Sequence, residues 1–432
     1  MAGSSGGLVN RTLDHIWRFV EDRVGIELPM RKVPPFSLKV SYWIGSLLLF
    51  GFLYQAVSGI LLAMYYVPTP QEAYASTQAM LTQVPLGQLV LTTHLYMAYA
   101  IIFLVLVHLF RNYFYGAYRA PRELTWIAGV FLLAITLGYG FTGYLLPYSQ
   151  LSVDATDVGT GVVGSVPIVG PWLVQIMTGN GTPENELTRF FAFHVFYLGG
   201  LLVAFVGVHF YLFEKHGVAP PPTSDPKEKR RYSLSSAPFG RRRQSPDDPH
   251  AAERFAPEDE RDFLDPYPTL VRFVSELGFG MIALVFLGAF LFPTSLPPAV
   301  GSSAATGVIR PEWYFLAVFK LLDIEGVTPA LGITLVVLAG VYLVALPFID
   351  RYKASHPRSR PAITTVGLVG LAWFIFLTAW GYLTPGVEIP TAEAVAYLGA
   401  IAAAILAIVY AADRRYLRAH PGARAARRGL RG

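Results

Sequence analysis

Long apolar runs alternate with polar loops along this chain. Eight runs reach about 20 residues, the length that crosses the hydrocarbon core of a bilayer as an α-helix. They cover residues 43–67, 89–111, 126–146, 190–213, 270–292, 330–349, 362–383 and 394–412. The pattern predicts an all-α integral membrane protein with eight transmembrane helices.

The segments between and before these runs divide the chain further. Residues 9–29 place apolar side chains at helical spacing with charges between them, which predicts an amphipathic helix on the membrane surface. Residues 217–266 are rich in proline and charge, which is typical of a linker. Short helices are expected within 149–186 and 293–328. The predicted units are 1–38 (surface helix and lead-in), 39–216 (first four-helix membrane domain), 217–266 (cytoplasmic linker), 267–417 (second four-helix domain) and 418–432 (basic tail).

Composition supports a membrane location and excludes some chemistry. Hydrophobic residues make up 53% of the chain and charged residues 15%, against about 25% charged in average soluble proteins. The chain has no cysteine, which excludes disulfides, thiolate-bound iron–sulfur clusters and a cysteine nucleophile within it. The expected partner is therefore a lipid bilayer, and no nucleic acid.

Charge alternates from loop to loop. Loops 68–85, 149–186 and 385–392 hold acidic residues and no lysine or arginine, whereas the other loops and the tail are basic. The positive-inside rule then puts both termini in the cytoplasm, which predicts a multi-pass protein of a bacterial or archaeal inner membrane. The one exception is the loop 293–328, with Arg310 and Lys320 on the predicted outer side.

Four of the nine histidines lie inside predicted spans. His94 and His108 in the second span are 14 residues apart, roughly 21 Å along a helix and about 40° around it. His194 and His209 in the fourth span are 15 residues apart, roughly 22 Å and 60°. The extra residue is compatible with a shared face if the helix tilts or contains a local bulge. The spacing predicts one cross-bundle pair near each membrane surface, His94 with His194 and His108 with His209.

Two imidazole pairs at matching depths favour bis-histidine haem binding between facing helices. A single intramembrane histidine is also compatible with a hydrogen-bonded packing residue, and a set of four with a proton relay. Gly45 and Gly59 in the first span, and Gly129 and Gly143 in the third, repeat the 14-residue spacing. Glycine permits close approach of a flat macrocycle, although small residues also serve helix packing in membranes.

With these residues the sequence resembles cytochrome b of the quinol:cytochrome c oxidoreductase (bc1-type) complexes, in the cytochrome b/b6 family. The resemblance covers nearly all the chain. It rests on the four histidines, the four glycines and the motifs GYLLPYSQ (143–150), VPIVG (166–170), LTRFFAFH (187–194) and PEWY (311–314).

The resemblance implies two b-type haems in a bundle formed by the first four helices. A low-potential haem would be held by His94 and His194 near the outer face, and a high-potential haem by His108 and His209 near the cytoplasmic face. Arg111 matches the family's contact to the inner haem propionate.

An outer quinol site is also implied. Glu312, Tyr314 and Tyr144 would be its catalytic residues, with Glu312 accepting a quinol proton. Pro311, Trp313 and Gly161 would complete its walls. The alternative for Glu312 is a carboxylate that stabilises a helix N-terminus.

The implied activity is quinol–cytochrome-c reduction by a Q cycle. One quinol electron would leave to a Rieske-type iron–sulfur protein and a c-type cytochrome subunit. The other would cross the membrane through the haems to quinone at an inner site. A homodimer of the whole complex is implied as well.

Several positions depart from the family pattern. The longer histidine interval is that of the b6 branch, whereas eight spans in one chain are typical of the bc1 branch. Leu91 stands where the family often has an arginine near the outer haem, which leaves that haem's cation open. At the inner quinone site Glu214 replaces a histidine, and Asp265 and Arg272 are the nearest candidates for the remaining polar groups.

Two other functions are compatible with an intramembrane histidine cluster. A secondary transporter would use the histidines as a proton path, but the chain shows no inverted repeat. A purely electron-conducting anchor of another oxidoreductase would bind haem but would lack PEWY.

Overall fold

The computed structural model describes residues 35–222, 271–302, 310–352 and 355–419. Within these ranges the helices are α1 Ile44–Ala63, α2 Ala73–Thr82, α3 Gly87–Tyr115, α4 Glu123–Leu145, α5 Gln150–Gly164, α6 Gly170–Thr178, α7 Pro183–Ala192, α8 Leu198–His216, α9 Val271–Leu291, α10 Leu316–Leu322, α11 Pro329–Ile349, α12 Pro361–Leu383 and α13 Thr391–Ala419. The predicted surface helix 9–29, most of the linker 217–266 and the end of the tail lie outside the described residues.

Eight helices in the described ranges are long and apolar enough to cross a membrane. They are α1, α3, α4, the continuous α7–α8 helix, α9, α11, α12 and α13. The same ranges contain no β-strand, only two isolated bridges. The predicted all-α fold with eight spans is confirmed.

Three helix ends differ from the predicted ones for local reasons. The fourth span begins at Pro183, because Thr182 caps the helix by accepting a hydrogen bond from Asn185 N at 3.4 Å. The first span ends at Ala63, ahead of Pro68, whose ring disfavours helix in the residue before it. The eighth span continues to Ala419 with a charged last stretch that is too polar for an apolar run.

The fourth span contains a local bulge, one of the two arrangements, with helix tilt, that the histidine spacing left open. Residues Phe193–Tyr197 form a π-helical turn between α7 and α8, and His194 lies in it. A π turn adds one residue to a helical turn without rotating the helix that follows. The 15-residue interval between His194 and His209 therefore spans the same face that 14 residues span in α3.

The first four spans form a bundle. The helix α1 packs on α3, α4 packs on α8, and α3 and α4 are in contact. Ile44 and Leu48 of α1 pack with Met97, Ile101 and Val105 of α3 in a buried cluster. The face of α8 and α7 that points away from the bundle stays exposed in this chain.

The second block of four spans packs against the first. The helix α9 contacts α1 and α3, α11 contacts α4, and α12 contacts α3. Trp126 Nε1 donates to Leu343 O at 2.6 Å, and the Tyr113 hydroxyl donates to Ile363 O at 2.7 Å. These bonds fix the two blocks in one register.

Short helices cover one side of the bundle, as the sequence predicts. The helices α5 and α6 lie between the third and fourth spans, and α10 lies between the fifth and sixth. This side is called the outer side below, and the opposite side the inner side. Gln150 N donates to Pro298 O at 3.0 Å and joins α5 to the segment after α9.

Candidate functional site

The structure brings the four histidines together in two pairs. The ring centroids of His94 and His194 lie 6.5 Å apart on the outer side, with the rings inclined at 62°. His108 lies close enough to His209 on the inner side for the two rings to interact electrostatically. A metal ion bonded to two imidazoles at about 2.0–2.1 Å keeps their ring centroids roughly 6 Å apart. The outer pair therefore has about the separation at which both imidazoles could bind one metal ion.

Each histidine ring packs against one of the four glycines. A Cβ added at Gly45 would lie 3.4 Å from His108 Cε1, and one at Gly59 would lie 3.3 Å from His94 Cε1. The corresponding distances are 3.2 Å between Gly129 and His209 and 2.6 Å between Gly143 and His194. In this chain the group that approaches each glycine is an imidazole, and the close approach of a macrocycle stays a prediction. At Gly143 any side chain would have to displace the ring.

Hydroxyl groups orient the two outer histidines. Ser58 Oγ lies 2.8 Å from His94 Nδ1, and Thr142 Oγ1 lies 3.1 Å from His194 Nδ1. Both hydroxyls also donate to backbone carbonyls, of Tyr54 and Gly138 respectively. Each hydroxyl has one proton, so it accepts from the Nδ1–H. This fixes the tautomer that leaves Nε2 free to bind a metal.

Ser58 and Thr142 are not among the site residues predicted from the sequence. The available signal is a hydroxyl residue directly before each outer glycine, Ser-Gly at 58–59 and Thr-Gly at 142–143. The inner glycines follow Ile44 and Ala128 instead. The two histidine pairs therefore have different surroundings.

The inner pair lies beside a cation. Asn112 Nδ2 is 3.0 Å from His108 Nε2, and Arg111 Nη1 donates to Asn112 Oδ1 at 2.7 Å. The Arg111 guanidinium lies 4.0 Å from the ring centroids of both Tyr42 and Tyr115. Within the described ranges Arg111 Nε and Nη2 are buried without a hydrogen-bond partner. Buried unpaired donors are costly, and a haem carboxylate is a group that would satisfy them.

The PEWY motif lies next to the outer pair. The Tyr314 hydroxyl donates to Gly140 O at 3.4 Å, and Tyr314 is 7% exposed. Gly140 is three residues, or about one helical turn, from Gly143, which contacts His194. Glu312 lies close enough to the phenols of Tyr314, Tyr144 and Tyr99 to interact with them electrostatically. Burial raises the pKa of the Glu312 carboxyl above its ordinary value, and the polar contribution of the Tyr99 hydroxyl partly opposes this rise.

Of the other predicted wall residues, two lie in the PEWY loop itself and one lies on α5. Pro311 is buried, and Trp313 lines one end of a lipid-facing groove of about 830 Å³ between α3 and α12. Gly161 on α5 faces open space, because no atom lies within 4 Å of an added Cβ.

A buried lysine anchors the segment that follows PEWY. Lys320 Nζ donates to Asp323 at 3.2 Å and to the carbonyls of Thr384 and Val387 at 2.8 and 2.9 Å. Its side chain is 0% exposed. Lys320 therefore links α10 to the segment after α12 by buried hydrogen bonds. Because it is not a solvated cation, it accounts for part of the unexpected positive charge in the loop 293–328.

The two described candidates for the inner quinone site, Glu214 and Arg272, lie on different helices. Arg272 forms an exposed i,i+4 ion pair with Glu276 at 2.7 Å, and Glu214 is half-buried at the end of α8. Phe273 packs on Trp43 with centroids 5.7 Å apart, which puts the start of α9 beside α1. Asp265 lies outside the described residues.

Fold and site together define a class of protein: a helical multi-span membrane protein with imidazole pairs at two depths of a four-helix bundle. Family models described as cytochrome b(N-terminal)/b6/petB and cytochrome b(C-terminal)/b6/petD match residues 99–302 and 302–407.

Two relatives match most of the chain. Cytochrome b of Sulfolobus acidocaldarius is 34% identical over 90% of this chain and 69% of its own length. The cytochrome b subunit of the Chlorobaculum thiosulfatiphilum cytochrome bc complex is 35% identical over 81% and 76%. A solved structure titled hyperthermophilic respiratory Complex III shares the fold, with a TM-score of 0.68 and 24% identity over 92% of this chain and 96% of its own.

The chain belongs to the cytochrome b family. Membership makes it an integral membrane, haem b-binding core subunit with an oxidoreductase role in a multi-subunit complex.

Proposed function

We propose that this chain oxidises quinol on the outer side of the membrane and reduces quinone on the inner side, as the catalytic subunit of a quinol–cytochrome-c reductase. The observation that carries the proposal is the position of PEWY, whose Tyr314 bonds to α4 one turn from the glycine behind His194. A carboxyl that can accept a quinol proton thus lies beside one of the two metal-binding pairs.

The proposed haem ligands are His94 with His194 and His108 with His209. When bound, the low-potential outer haem and the high-potential inner haem would carry one electron of each quinol across the membrane. Ser58 and Thr142 hold the outer imidazoles in the ligating tautomer. Arg111 would bind a propionate of the inner haem through its unpaired donors.

Glu312 is proposed as the group that accepts a proton from the bound quinol. Because burial raises its pKa, its carboxylate is a better base than an exposed glutamate. Tyr314 and Tyr144 would position the quinol ring, with Pro311, Trp313 and Gly161 as walls. The inner quinone site would use Glu214, Arg272 and Asp265.

The proposed partners follow from the same reaction. The high-potential branch would need a Rieske-type iron–sulfur protein and a c-type cytochrome subunit, since this chain has no cysteine for either centre. A homodimer of the complex is proposed through α8, whose outward face carries Gly200, Ala204 and Gly207 at helical spacing. We also propose that the chain lies in the inner membrane with both termini in the cytoplasm. Its proposed domain organisation is the five units predicted above.

Replacement of Glu312 by glutamine tests this function. Glutamine keeps the size of the side chain but cannot accept a proton, so we expect quinol oxidation to fall by about 10²–10⁴-fold, the usual contribution of a general base. Both haems should remain in the optical spectrum of the purified complex. The matched control is Glu325→Gln, an exposed glutamate on the same side, which should keep full activity. Unchanged quinol oxidation in Glu312→Gln would favour an electron-conducting anchor, and a haem-free spectrum of the wild type would favour a transporter.

Replacement of Gly143 by alanine tests the outer haem site. The added Cβ would lie 2.6 Å from His194 Cε1, so the ring must move away from its ligating position. We expect loss of about half of the haem b per chain, all of it from the low-potential centre. Gly340→Ala on α11, where an added Cβ meets nothing within 4 Å, should keep both centres. A wild-type spectrum in Gly143→Ala would contradict the proposed packing.

A further inference from the structure

Asn112 is a polar side chain beside the inner histidine pair to which the proposed function gives no role. It lies in the last turn of α3, four residues or about one helical turn after His108. Its Nδ2 is 3.0 Å from His108 Nε2, and its Oδ1 accepts a hydrogen bond from Arg111 Nη1 at 2.7 Å. The Asn112 amide therefore bridges a proposed haem ligand and the cation proposed to bind a haem propionate.

Arg111 fixes the direction of both hydrogen bonds. A guanidinium group can only donate, so the amide atom that faces Arg111 Nη1 is the oxygen and the atom that faces His108 is the NH₂ group. That NH₂ group can also only donate, so His108 Nε2 is the acceptor and carries a lone pair. The ring proton is then on Nδ1, which is the tautomer that binds a metal through Nε2.

The inner pair is thus oriented differently from the outer pair. On the outer side, Ser58 and Thr142 accept from the Nδ1 atoms of the two histidines. Among the described residues, the Nδ1 atoms of His108 and His209 are buried without a hydrogen-bond partner. The side-chain hydrogen bond at the inner pair comes from Asn112 instead, and it reaches the nitrogen on the opposite side of the ring.

The guanidinium of Arg111 is held on several sides at once. Its central carbon lies 4.0 Å from the ring centroids of both Tyr42 and Tyr115, and Asn112 accepts from Nη1. In the part of the chain that the structure describes, Nε and Nη2 are buried and make no hydrogen bond. Asn112 therefore helps to fix which edge of the guanidinium is available to an anion.

We propose that Asn112 is a positioning residue of the inner haem site, which sets the ligating tautomer of His108 and orients Arg111 toward a haem carboxylate. This rests on the haem ligands proposed above. When Nε2 binds a metal, its lone pair is no longer available to the amide, so the Asn112 NH₂ group needs another acceptor. A carboxylate that pairs with Arg111 would also be within reach of this amide. Asn112 and Arg111 would then bind the carboxylate together.

The test is Asn112→Leu in the intact complex, which keeps about the same side-chain size and removes both hydrogen-bonding groups. A carboxylate with fewer donors carries a less compensated negative charge, which favours the oxidised haem. We expect the redox equilibrium of the inner haem to shift about tenfold toward oxidation, the effect of one charge-assisted hydrogen bond, or about 59 mV for one electron. The inner haem should also be lost about 10–100-fold more readily when the complex is titrated with a haem acceptor protein. The outer haem should not change in either measurement.

Three further variants separate positioning from packing. Asn112→Gln keeps the donor and the acceptor and should restore most of the wild-type potential, whereas Asn112→Ala should reproduce the leucine variant and replaces it if that variant does not assemble. The matched control is Thr365→Val at the inner end of α12. It removes a hydroxyl that donates to Pro361 O at 2.8 Å, and it should leave both haem potentials unchanged.

A double-mutant cycle with Arg111→Leu tests whether Asn112 acts through the guanidinium. Asn112→Leu should shift the inner potential less in the Arg111→Leu background than in the wild type, because the two residues are coupled. Shifts of equal size in both backgrounds would overturn the bridging role, as would a wild-type potential and wild-type haem retention in Asn112→Leu. If His108→Leu kept both haems, the proposed inner site itself would be wrong. Loss of the inner haem in His108→Leu beside a wild-type Asn112→Leu would overturn the role of Asn112 alone.

Discussion

Replacement of His194 by leucine is expected to remove one b haem and leave the other in place. His194 is paired with His94 at a ring separation of 6.5 Å. His194→Leu and His94→Leu would therefore each leave the outer iron with a single protein ligand. His108→Leu and His209→Leu should remove the second centre instead. Each variant is expected to lose about half of the haem per chain and all transmembrane electron transfer.

The measurement is a redox-resolved optical spectrum of each purified variant complex. The four variants should fall into two classes, His94 with His194 and His108 with His209, each lacking the same spectral component. The control is His216→Gln, seven residues after His209 on the same helix, which should keep both components. If any of the four variants kept both components, or if His94→Leu resembled His108→Leu, the proposed pairing would be wrong.

Much of this arrangement is predictable from the sequence, because a small number of strong physical constraints determine the structure of membrane-spanning helices. Apolar length alone predicts all eight spans, and helical geometry alone predicts which histidines face each other. The 15-residue interval is compatible with helix tilt or with a local bulge, and the structure contains a bulge at Phe193–Tyr197. Its place within the helix is not predictable, because a π turn anywhere between the two histidines would have the same effect on their register.

The contacts that tune the site are less predictable, because they join residues far apart in sequence. Ser58 and His94 are 36 residues apart, and Tyr99 and Tyr314 are brought together only when the second block packs on the first. Lys320 shows the same limit for charge. Its position in the sequence predicts a solvated cation on the outer side, whereas its three hydrogen bonds show that it is buried and links two segments of the chain. Loop charge predicts topology, but it does not distinguish a solvated cation from a buried one.

Substitutions at the inner-side contact between the two four-helix blocks are expected to have the largest effect on stability. Asp350, at the end of α11, is contacted by Arg119 at 2.7 and 2.8 Å, by Arg360 at 3.1 Å and by the Tyr118 hydroxyl at 2.5 Å. Its side chain is 0% exposed, and those of Arg119 and Arg360 are 8% and 1% exposed. Arg360 also donates to Phe114 O at 2.8 Å, near the end of α3. One carboxylate thus compensates two buried cations from two loops.

Replacement of Asp350 by alanine should leave both guanidinium groups buried without their counter-charge. Breaking a buried ion pair by removing one partner costs about 3–5 kcal/mol, and we expect a loss of stability of that size at neutral pH. The measurement is thermal or denaturant unfolding of the purified complex, followed through the haem absorbance. The control is Glu276→Gln, which breaks an ion pair whose side chains are 57% and 59% exposed and should cost less than about 1 kcal/mol.

The same contact between the blocks predicts how stability depends on pH. Burial alone would raise the pKa of Asp350, but hydrogen bonds from Arg119 and Tyr118 and the charges of both arginines hold it below its ordinary value of 3.8. A carboxyl whose pKa is lower in the folded protein stabilises it above the unfolded pKa, and this contribution is lost as pH falls toward the folded value. The difference between wild type and Asp350→Ala should therefore be full at neutral pH and shrink below about pH 4. A difference that stayed constant through the acid range would show that Asp350 acts by packing and not by its charge.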